Sequence, residues 1–235
     1  MIEIGHIENG FFEKFGIPRQ SGLVEEVVSR IVMEPPYRTW DAFKGIEEYT
    51  HLWILWEFSA IKKENWSATV KPPRLGGNKR VGVFATRSPF RPNSIGLSSV
   101  KLLKIEHDKK LGTVLYVSGA DLMNGTPIYD IKPYLPYVDC HLEAEGGFAE
   151  REKNNNLVVN NPECLYQHME TADGDCIKKI IEQDPRPAYI EEPSRVYGFV
   201  YGKYNVKFCV KDKDAVIVGI EKRIAEGKYQ PLYKK

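Results

Sequence analysis

Cysteine is scarce in this chain and never paired along the sequence. The four cysteines, Cys140, Cys164, Cys176 and Cys209, lie far apart, and none belongs to a CxxC motif or to a Cys/His pair at zinc spacing. Disulfide frameworks and structural zinc sites depend on such spacings. The sequence therefore predicts four reduced thiols, no disulfide and no metal site.

Long apolar runs are also missing. A membrane-spanning helix needs about 20 apolar residues, and the most apolar stretch, residues 52–58, is interrupted by Glu57. The first residues lack the basic, apolar and small-residue order of a signal peptide. We therefore expect a cytosolic protein with no membrane partner.

The glycine-rich loops that commonly hold nucleotides are absent as well. No GxGxxG motif stands between a strand and a helix, and no Walker A sequence is present. This absence argues against a doubly wound nucleotide-binding sheet and against a P-loop. A nucleotide-like cofactor would need a different scaffold.

Acidic residues are missing from residues 71–104, which carry eight Lys and Arg. Because the net charge of the whole chain is only +1, this excess is local and predicts a positive patch. Such a patch suits a polyanion or an anionic cofactor. Proline and glycine are dense here and predict fixed turns around a short strand at 81–85. From spacing alone, a loop charged only for solubility is an equal alternative.

Short β-type segments dominate the first 150 residues. They alternate apolar and polar residues or are rich in β-branched and aromatic ones. The segments are 1–7, 27–33, 50–58, 81–85, 99–105 and 113–118. Their spacing is that of a closed or sandwich-like antiparallel sheet, so the predicted fold class is mainly β.

The composition changes to Glu, Gly and Asn at 140–157, which is typical of a linker. After it, Asn161 as N-cap, followed by Pro162 and Glu163, predicts the start of a helix that Pro185 ends. Three predicted strands follow, at 195–201, 205–210 and 215–220. These features predict a small α+β domain over residues 157–235.

Four ordered segments resemble one known family. They are KFGIPRQ at 14–20, KPPRLGGNKRVGVFATRSPFRPNSIGLS at 71–98, SGADLMNGTPIYDIKPYLP at 118–136 and QDPRPAY at 183–189. The chain is similar to the TrmO family, also called TsaA-like or YaeB-like, and departs from its pattern chiefly at Ser94, where proline is usual. The resemblance implies a tRNA N6-methyltransferase that uses S-adenosylmethionine (SAM). It also implies threonylcarbamoyl-adenosine beside the anticodon as the substrate, a β-barrel main domain over 1–150 and a homodimer.

The resemblance also implies a set of cofactor-binding positions. Carried over residue by residue, they are Pro18, Arg19, Gln20, Ser59, Ala60, Arg87, Leu97, Gly125, Thr126, Pro127 and Ile128. The carboxylate of SAM calls for an arginine or for free backbone N–H groups, so we expect Arg19 or Arg87 to clamp it. A surface salt bridge is the alternative role for both arginines. Ser59 and Ala60 stand where relatives often have a His-Gln pair, so contacts there would use the backbone.

The segment YDIKPY at 129–134 brings a carboxylate, an ammonium and a phenol together. Strand alternation predicts Asp130, Lys132 and Tyr134 on one face, with Tyr129 and Ile131 on the other. Methyl transfer to a ureido nitrogen requires removal of its proton, which a positioned carboxylate can accept. We therefore predict Asp130 as general base and Tyr134 as a stacking platform. Lys132 would hold the threonyl carboxylate or raise the acidity of the ureido N–H. A structural ion pair between Asp130 and Lys132 is the alternative.

Other polar and aromatic residues receive predictions from their surroundings. The cations expected to contact tRNA are Arg74, Lys79, Arg80, Arg91 and Arg186. His51 lies in an apolar run and is expected to be a hydrogen-bonded core residue. Trp53, Trp56 and Phe58 are expected in the core or at a subunit interface.

Two further functions remain open from the residues alone. A non-catalytic RNA-binding β-barrel would use the basic stretch to hold phosphates, and SAM binding measured by calorimetry separates it from a methyltransferase. A hydrolase of anionic small molecules would use Asp130 and His51. It is disfavoured because neither a metal cluster nor a nucleophile elbow accompanies them.

Overall fold

The structure, a computed structural model, contains two hydrophobic cores. It describes residues 1–60, 66–72, 75, 79–151, 156–186, 192, 194–225 and 228–234. One core lies inside a closed β-barrel, and the other lies under a second, C-terminal sheet. The barrel confirms the predicted mainly β fold class.

Six antiparallel strands close the barrel. They are β1 (Gly5–Glu8), β2 (Val28–Met33), β3 (His51–Glu57), β6 (Ile95–Asp108), β7 (Gly112–Ser118) and β8 (Pro127–Pro133), while β4 (Thr69–Val70) and β5 (Val81–Gly82) form a separate pair. The order around the barrel is β1-β2-β7-β6-β3-β8. Alternation places Leu52, Ile54 and Trp56 of β3 inside the barrel, where they are buried. The intervening β3 residues therefore face outward.

The predicted strand at 81–85 is wrong after its second residue. The chain leaves β5 and forms a 3-10 turn at Val83–Ala85. Arg91 stabilises this turn by donating to the carbonyl oxygens of Val83, at 3.0 Å, and Thr86, at 2.7 Å. These two hydrogen bonds hold the backbone of the turn in place. The part of the basic stretch between β5 and β6 is therefore a folded loop.

The C-terminal unit combines helices with a second sheet. Its elements, with the two short helices that precede it, are α1 (Pro136–Asp139), α2 (Gly147–Arg151), β9 (Val158–Val159), α3 (Glu163–His168), α4 (Thr171–Glu182), β10 (Val196–Tyr201), β11 (Tyr204–Lys211), β12 (Asp214–Ala225) and β13 (Lys228–Lys234). The strands run in the order β10-β11-β12-β13, and β9 pairs with β12 in parallel. Leu165, Ile177 and Ile181 bury the helices against this sheet.

Three expectations for this unit are corrected. Asn161 does not cap a helix, because its side-chain amide donates to Ile217 O at 2.9 Å and accepts from Ile217 N at 2.8 Å. The single predicted helix is two, since the extended backbone of Met169 separates α3 from α4. Strand β13 was not predicted, because its sequence is polar and contains Pro231, which an edge strand tolerates.

The loop between β1 and β2 packs against the C-terminal unit. Phe11, Val24 and Val27 are buried in the core of that unit, and Gly202 N donates to Gly10 O at 2.9 Å. The N-terminal part of the chain thus completes the second core and holds the two units together. None of the described helices is both long and apolar enough to cross a membrane.

Candidate functional site

An open cavity of about 490 Å³ lies on the outer face of the β3–β6 ladder. The residues that line it come from both strands and from flanking loops: Ser21, His51, Trp53, Arg87, Leu97, Ser99, Tyr134 and Asp139. Trp53 pairs with Ser99 and Leu55 with Leu97 in the ladder. The residues that alternate with these along each strand pack into the barrel core and hold both strands in place. The ladder therefore forms a rigid floor for the cavity.

Arg87 and Arg19 have different surroundings. The Arg87 guanidinium lines the cavity and donates to Oε1 of Gln20. Arg19 instead donates to the carbonyl oxygens of Asp184 and Arg186, both at 2.8 Å. Of the two arginines predicted to bind the carboxylate, Arg87 therefore places its guanidinium at the cavity. Arg19 instead connects the loop between β1 and β2 to the segment after α4.

Tyr134 and Trp53 form an aromatic wall of the cavity. Their ring centroids are 5.4 Å apart, and the His51 ring lies 6.2 Å from that of Tyr134. The indole N–H of Trp53 donates to Oδ2 of Asp139 at 2.9 Å, and Leu135 N donates to the same oxygen at 2.8 Å. Both hydrogen bonds lower the pKa of the Asp139 carboxyl, and the one from Leu135 has the larger effect. A flat base can stack on this wall.

Asp130 and Lys132 lie on the outer face of β8, next to the cavity rather than in its lining. Their charged groups are 2.8 Å apart, and Asp130 Oδ1 also accepts from Ile131 N at 2.9 Å. Lys132 pairs with Trp53 across the β3–β8 ladder, and Asp130 pairs with Leu55. Since Trp53 contacts Tyr134, strand pairing brings the three predicted catalytic residues to one side of the barrel.

A β-bulge changes the predicted alternation at Tyr129. Leu55 lies opposite Asp130 and Trp56 opposite Ile128, so Tyr129 is an extra residue on β8. Its hydroxyl donates to the carboxylate of Glu57, and this hydrogen bond raises the pKa of Tyr129 to about 12. Tyr129 is therefore on the side of Glu57. The prediction that Tyr129 faces away together with Ile131 is wrong.

The remaining predicted cofactor residues lie outside the cavity lining. Gly125 begins the turn before β8 with a φ of +77°, a conformation that glycine adopts easily. Its N–H donates to Ile7 O at 2.8 Å, Ile7 N donates to Thr126 O at 3.1 Å, and the Ile128 side chain is fully buried. Beyond β3, Ala60 O accepts from Lys14 Nζ at 3.2 Å. Six of these positions lie just after β3 or around the start of β8: Ser59, Ala60, Gly125, Thr126, Pro127 and Ile128. Pro18 is buried in the loop that carries Gln20.

The predicted tRNA-binding cations differ in how they are bonded. Arg80 donates to Thr69 and Arg91 to the turn after β5, so both stabilise the folded loop. Arg186 forms a two-pronged ion pair with Asp184, at 2.7 and 2.9 Å, and this pairing raises the pKa of the arginine. Lys79 is exposed. Arg74 falls outside the described residues.

Several cavity residues were not predicted as site residues. His51 was expected in the core, but it is exposed and its Nδ1 lies 3.0 Å from Thr50 Oγ1. Trp53 lines the cavity, whereas Trp56 is buried as expected. The alternation of β3 could have found His51 and Trp53, because both face away from Leu52. No local signal marks Ser21, Ser99 or Asp139.

One group of described residues brings several metal-binding atoms together. Atoms of Glu3, His6 and Glu34 lie within 4.8 Å of one another near the start of β1. None of these residues is buried, and His6 contacts the carboxylates of Glu8 and Glu34. Exposed carboxylates around a histidine are ordinary surface ion pairs. The group is outside the cavity lining.

Comparisons with known proteins agree over most of the chain. Residues 6–140 match the family model of the tRNA-methyltransferase O N-terminal domain, and residues 160–223 match that of the TrmO C-terminal domain. The chain is 38% identical over 229 residues to the tRNA (adenine(37)-N6)-methyltransferase of Escherichia coli K12, covering 94% of this chain and 97% of the relative.

Two Pseudomonas aeruginosa proteins extend this similarity. A relative named as a candidate S-adenosylmethionine-dependent methyltransferase is 39% identical over 202 residues, covering 83% of this chain and 85% of the relative. The crystal structure of TrmO from this organism superposes with a TM-score of 0.74 at 31% identity, covering 94% of this chain and 95% of that one. The chain belongs to the tRNA-methyltransferase O family.

Proposed function

We propose that this member of the tRNA-methyltransferase O family transfers a methyl group from SAM to N6 of threonylcarbamoyl-adenosine in tRNA, at the position beside the anticodon. A relative that is named tRNA (adenine(37)-N6)-methyltransferase aligns with 94% of this chain. The observation that carries the proposal is the cavity itself, where Arg87 faces the aromatic pair of Trp53 and Tyr134. A cation and a stacking wall on one rigid face suit an amino-acid group and a flat base.

The residues around the cavity fit SAM. The Arg87 guanidinium supplies a charge-assisted partner for a carboxylate, and Gln20 holds that guanidinium in place. Leu97 is 54% exposed and offers an apolar surface for the adenine or the methionine chain. SAM, when bound, supplies an electrophilic methyl group. Pro18, Arg19, Gly125 and the remaining cofactor positions would support this site from the loops around it.

Asp130 would take the proton from the ureido nitrogen. Its carboxylate is partly exposed on the same side of the barrel as the aromatic wall. The ion pair with Lys132 joins two partly exposed groups, and such pairs contribute little stability. Lys132 can therefore exchange Asp130 for the threonyl carboxylate of the substrate at small cost. Tyr134 would stack on the base and orient it.

The RNA would follow the basic loop. Lys79 is exposed, and Arg80 next to it keeps an exposed guanidinium although it bonds to Thr69. Exposed cations at the edge of a cavity attract phosphates over several ångströms. We include Arg74 and Arg91 in the proposed surface because they belong to the same basic stretch of the sequence. Arg186 is included because its carbonyl oxygen accepts a hydrogen bond from Arg19.

We further propose that the protein is a cytoplasmic homodimer. Outside the cavity lining, strand β6 exposes Ile95 and Leu103 by 39% and 45%, and exposed apolar side chains can mark a protein–protein contact. A second copy would cover these side chains. A tRNA substrate is consistent with action in the cytoplasm. Sedimentation equilibrium of the purified chain tests the assembly, and a monomer at micromolar concentration would exclude it.

A nucleoside assay tests the reaction. Purified protein is incubated with labelled SAM and tRNA that carries threonylcarbamoyl-adenosine, and the RNA is digested to nucleosides. Label is expected in the methylated threonylcarbamoyl nucleoside. The matched control is the same tRNA transcribed without modification, which should stay unlabelled. Binding of tRNA without binding of SAM and without any methylated nucleoside would favour the non-catalytic RNA-binding barrel.

A further inference from the structure

Three large aromatic side chains are exposed on the folded loop between β5 and β6 and on the segment before β4. Trp66, Phe84 and Phe90 are 54%, 74% and 42% exposed. Within the described part of the chain, they belong neither to the two hydrophobic cores nor to the cavity lining. Apolar side chains that cluster on a surface mark a contact with a ligand or a partner.

Backbone hydrogen bonds hold the three aromatic residues on one small folded unit. Ser67 N donates to Phe90 O at 3.2 Å, and Val83 N donates to Ala68 O at 3.0 Å. Between these bonds, β4 pairs with β5. The segment that carries Trp66 is therefore joined to the loop that carries the other two aromatic residues, and their exposure belongs to a defined backbone.

The ring of Phe84 is held in place from one side. The Arg91 guanidinium lies over this ring, 5.4 Å from its centroid. The same guanidinium donates to the carbonyl oxygens of Val83 and Thr86, so it fixes the turn and the ring together. Because Phe84 remains 74% exposed, most of its surface is accessible. A ring that is already held loses little conformational freedom when a flat group stacks on it.

The charge around these rings favours RNA as the partner. The sequence from 71 to 104, which includes two of the three aromatic residues, carries eight Lys and Arg and no Asp or Glu. Cations that attract phosphates, combined with aromatic faces that stack on bases, are the means by which proteins hold unpaired nucleotides. A symmetric contact with a second copy of this chain would instead place two positive regions together, which costs free energy.

The aromatic cluster is also close to the cavity along the chain. Arg87, which lines the cavity, follows Phe84 by three residues, so their Cα atoms are at most about 11 Å apart. We propose that Phe84, supported by Arg91, stacks on an unpaired tRNA base that flanks the target adenosine. Trp66 and Phe90 extend this platform. The inference rests on the proposed function, since it takes tRNA as the partner, and it adds recognition of an unpaired neighbouring nucleotide.

Binding of two RNA probes tests the platform. One probe is an anticodon stem-loop that carries threonylcarbamoyl-adenosine, and the other is a fully paired RNA duplex of the same length. Phe84→Ala should weaken binding of the stem-loop by about fivefold to a hundredfold, because one stacking contact is lost. Binding of the duplex should stay within about twofold. The slope of log K against log salt concentration should not change, because no charge is removed.

Three further variants control for packing and for position. Phe84→Trp keeps a flat face and should restore binding of the stem-loop, whereas Phe84→Leu keeps apolar volume only and should not. Tyr229→Ala removes an exposed aromatic side chain of β13, outside the basic stretch, and should have no effect.

Three results of the Phe84→Ala experiment would overturn the proposal. Unchanged affinity for the stem-loop would remove the stacking contact. An equal loss for both probes would make Phe84 a structural residue of the loop. A change in sedimentation of the protein without RNA would assign the ring to a contact between copies.

Stem-loops with a missing base test the same contact on the unaltered protein. One abasic nucleotide is placed at each position that flanks the target adenosine. We expect one of these probes to bind about fivefold to a hundredfold more weakly than the intact stem-loop, and Phe84→Ala to add little to that loss. Fully additive losses at every position would overturn the role of Phe84, while methylation of the intact stem-loop would still support the proposed function. Failure of the unaltered protein to bind the stem-loop at all would overturn the proposed function, and this inference with it.

Discussion

Asp130 and Lys132 form an ion pair of 2.8 Å across one side of β8, two residues apart in the sequence. Strand geometry explains the contact, because side chains at i and i+2 lie on the same face. The pair can hold a base and its substrate-binding partner, or it can simply stabilise the strand. Since both groups are partly exposed, the structural contribution is small. Kinetic measurements therefore decide between the two roles.

Asp130→Asn should separate catalysis from structure. The amide keeps the shape and the acceptor for Ile131 N but cannot take a proton at neutral pH. We expect kcat to fall by roughly 10²-fold or more, with SAM and tRNA affinities near those of the unaltered protein. Activity should recover partly at high pH, where hydroxide removes the ureido proton. A folded, SAM-binding variant with normal turnover would exclude the general-base role.

Arg87→Ala should weaken the binding of SAM. Loss of a charge-assisted carboxylate partner costs about 1.5–3 kcal/mol of binding free energy, and calorimetry measures it directly. Thermal stability without ligand should hardly change, because Arg87 is exposed. The matched control is Arg19→Ala, which loses two bonds to the carbonyls of Asp184 and Arg186. It should lower thermal stability more than Arg87→Ala does and weaken SAM binding less. The opposite result would make Arg19 the partner of the carboxylate and Arg87 the structural residue.

The double change Lys79→Ala, Arg80→Ala should reduce the salt dependence of tRNA binding. Removing one lysine or arginine from a phosphate flattens the plot of log K against log salt concentration by roughly 0.7–0.9. Titrations at four salt concentrations measure the slope. Lys213 is an exposed lysine in the turn between β11 and β12, and Lys213→Ala serves as the control that should leave the slope unchanged. An unchanged slope in the double variant would place the RNA on another surface.

Gly96→Ala should destabilise the barrel. A Cβ at this position would come within 2.2 Å of the ring of Trp56, a residue that is only 5% exposed. We expect the free energy of unfolding to fall by about 1–3 kcal/mol, measured by denaturant titration. Gly82→Ala is the control, because nothing lies within 4 Å of its Cβ position. Equal stability of both variants would mean that the Trp56 ring can shift.

Alkaline pH should destabilise the fold through Cys176. Burial raises the pKa of its thiol to about 11, from an ordinary value near 9. The folded state thus holds this proton more tightly, so its stabilising effect is complete below about pH 9 and is lost as the pH rises toward 11. Denaturant titrations across this range should show a falling free energy of unfolding. Cys176→Ala should show a shallower decline, and an identical decline would assign it to other groups, such as Tyr201.

Local sequence patterns were sufficient for much of the architecture. The alternation around Leu52, Ile54 and Trp56 predicted a strand with one buried face, and the barrel buries that face. The density of proline and glycine around Arg91 predicted a fixed loop. The ordered family motifs predicted the methyltransferase family and, with Arg87, Leu97 and Tyr134, part of the cavity wall. Each of these patterns and motifs occupies one short, continuous stretch of the chain.

Tertiary structure decided everything that depends on distant segments meeting. The cavity exists because barrel closure brings Ser21, Arg87, Leu97 and Asp139 to the outer face of one ladder. The amide of Asn161 bonds to a strand 56 residues away instead of capping its own helix. Register, bulges and closure are set by the summed packing of all strands, and no single segment encodes them. The sequence by itself thus supplied the candidate side chains for the chemistry, and the closed barrel decided which of them lie together at one cavity.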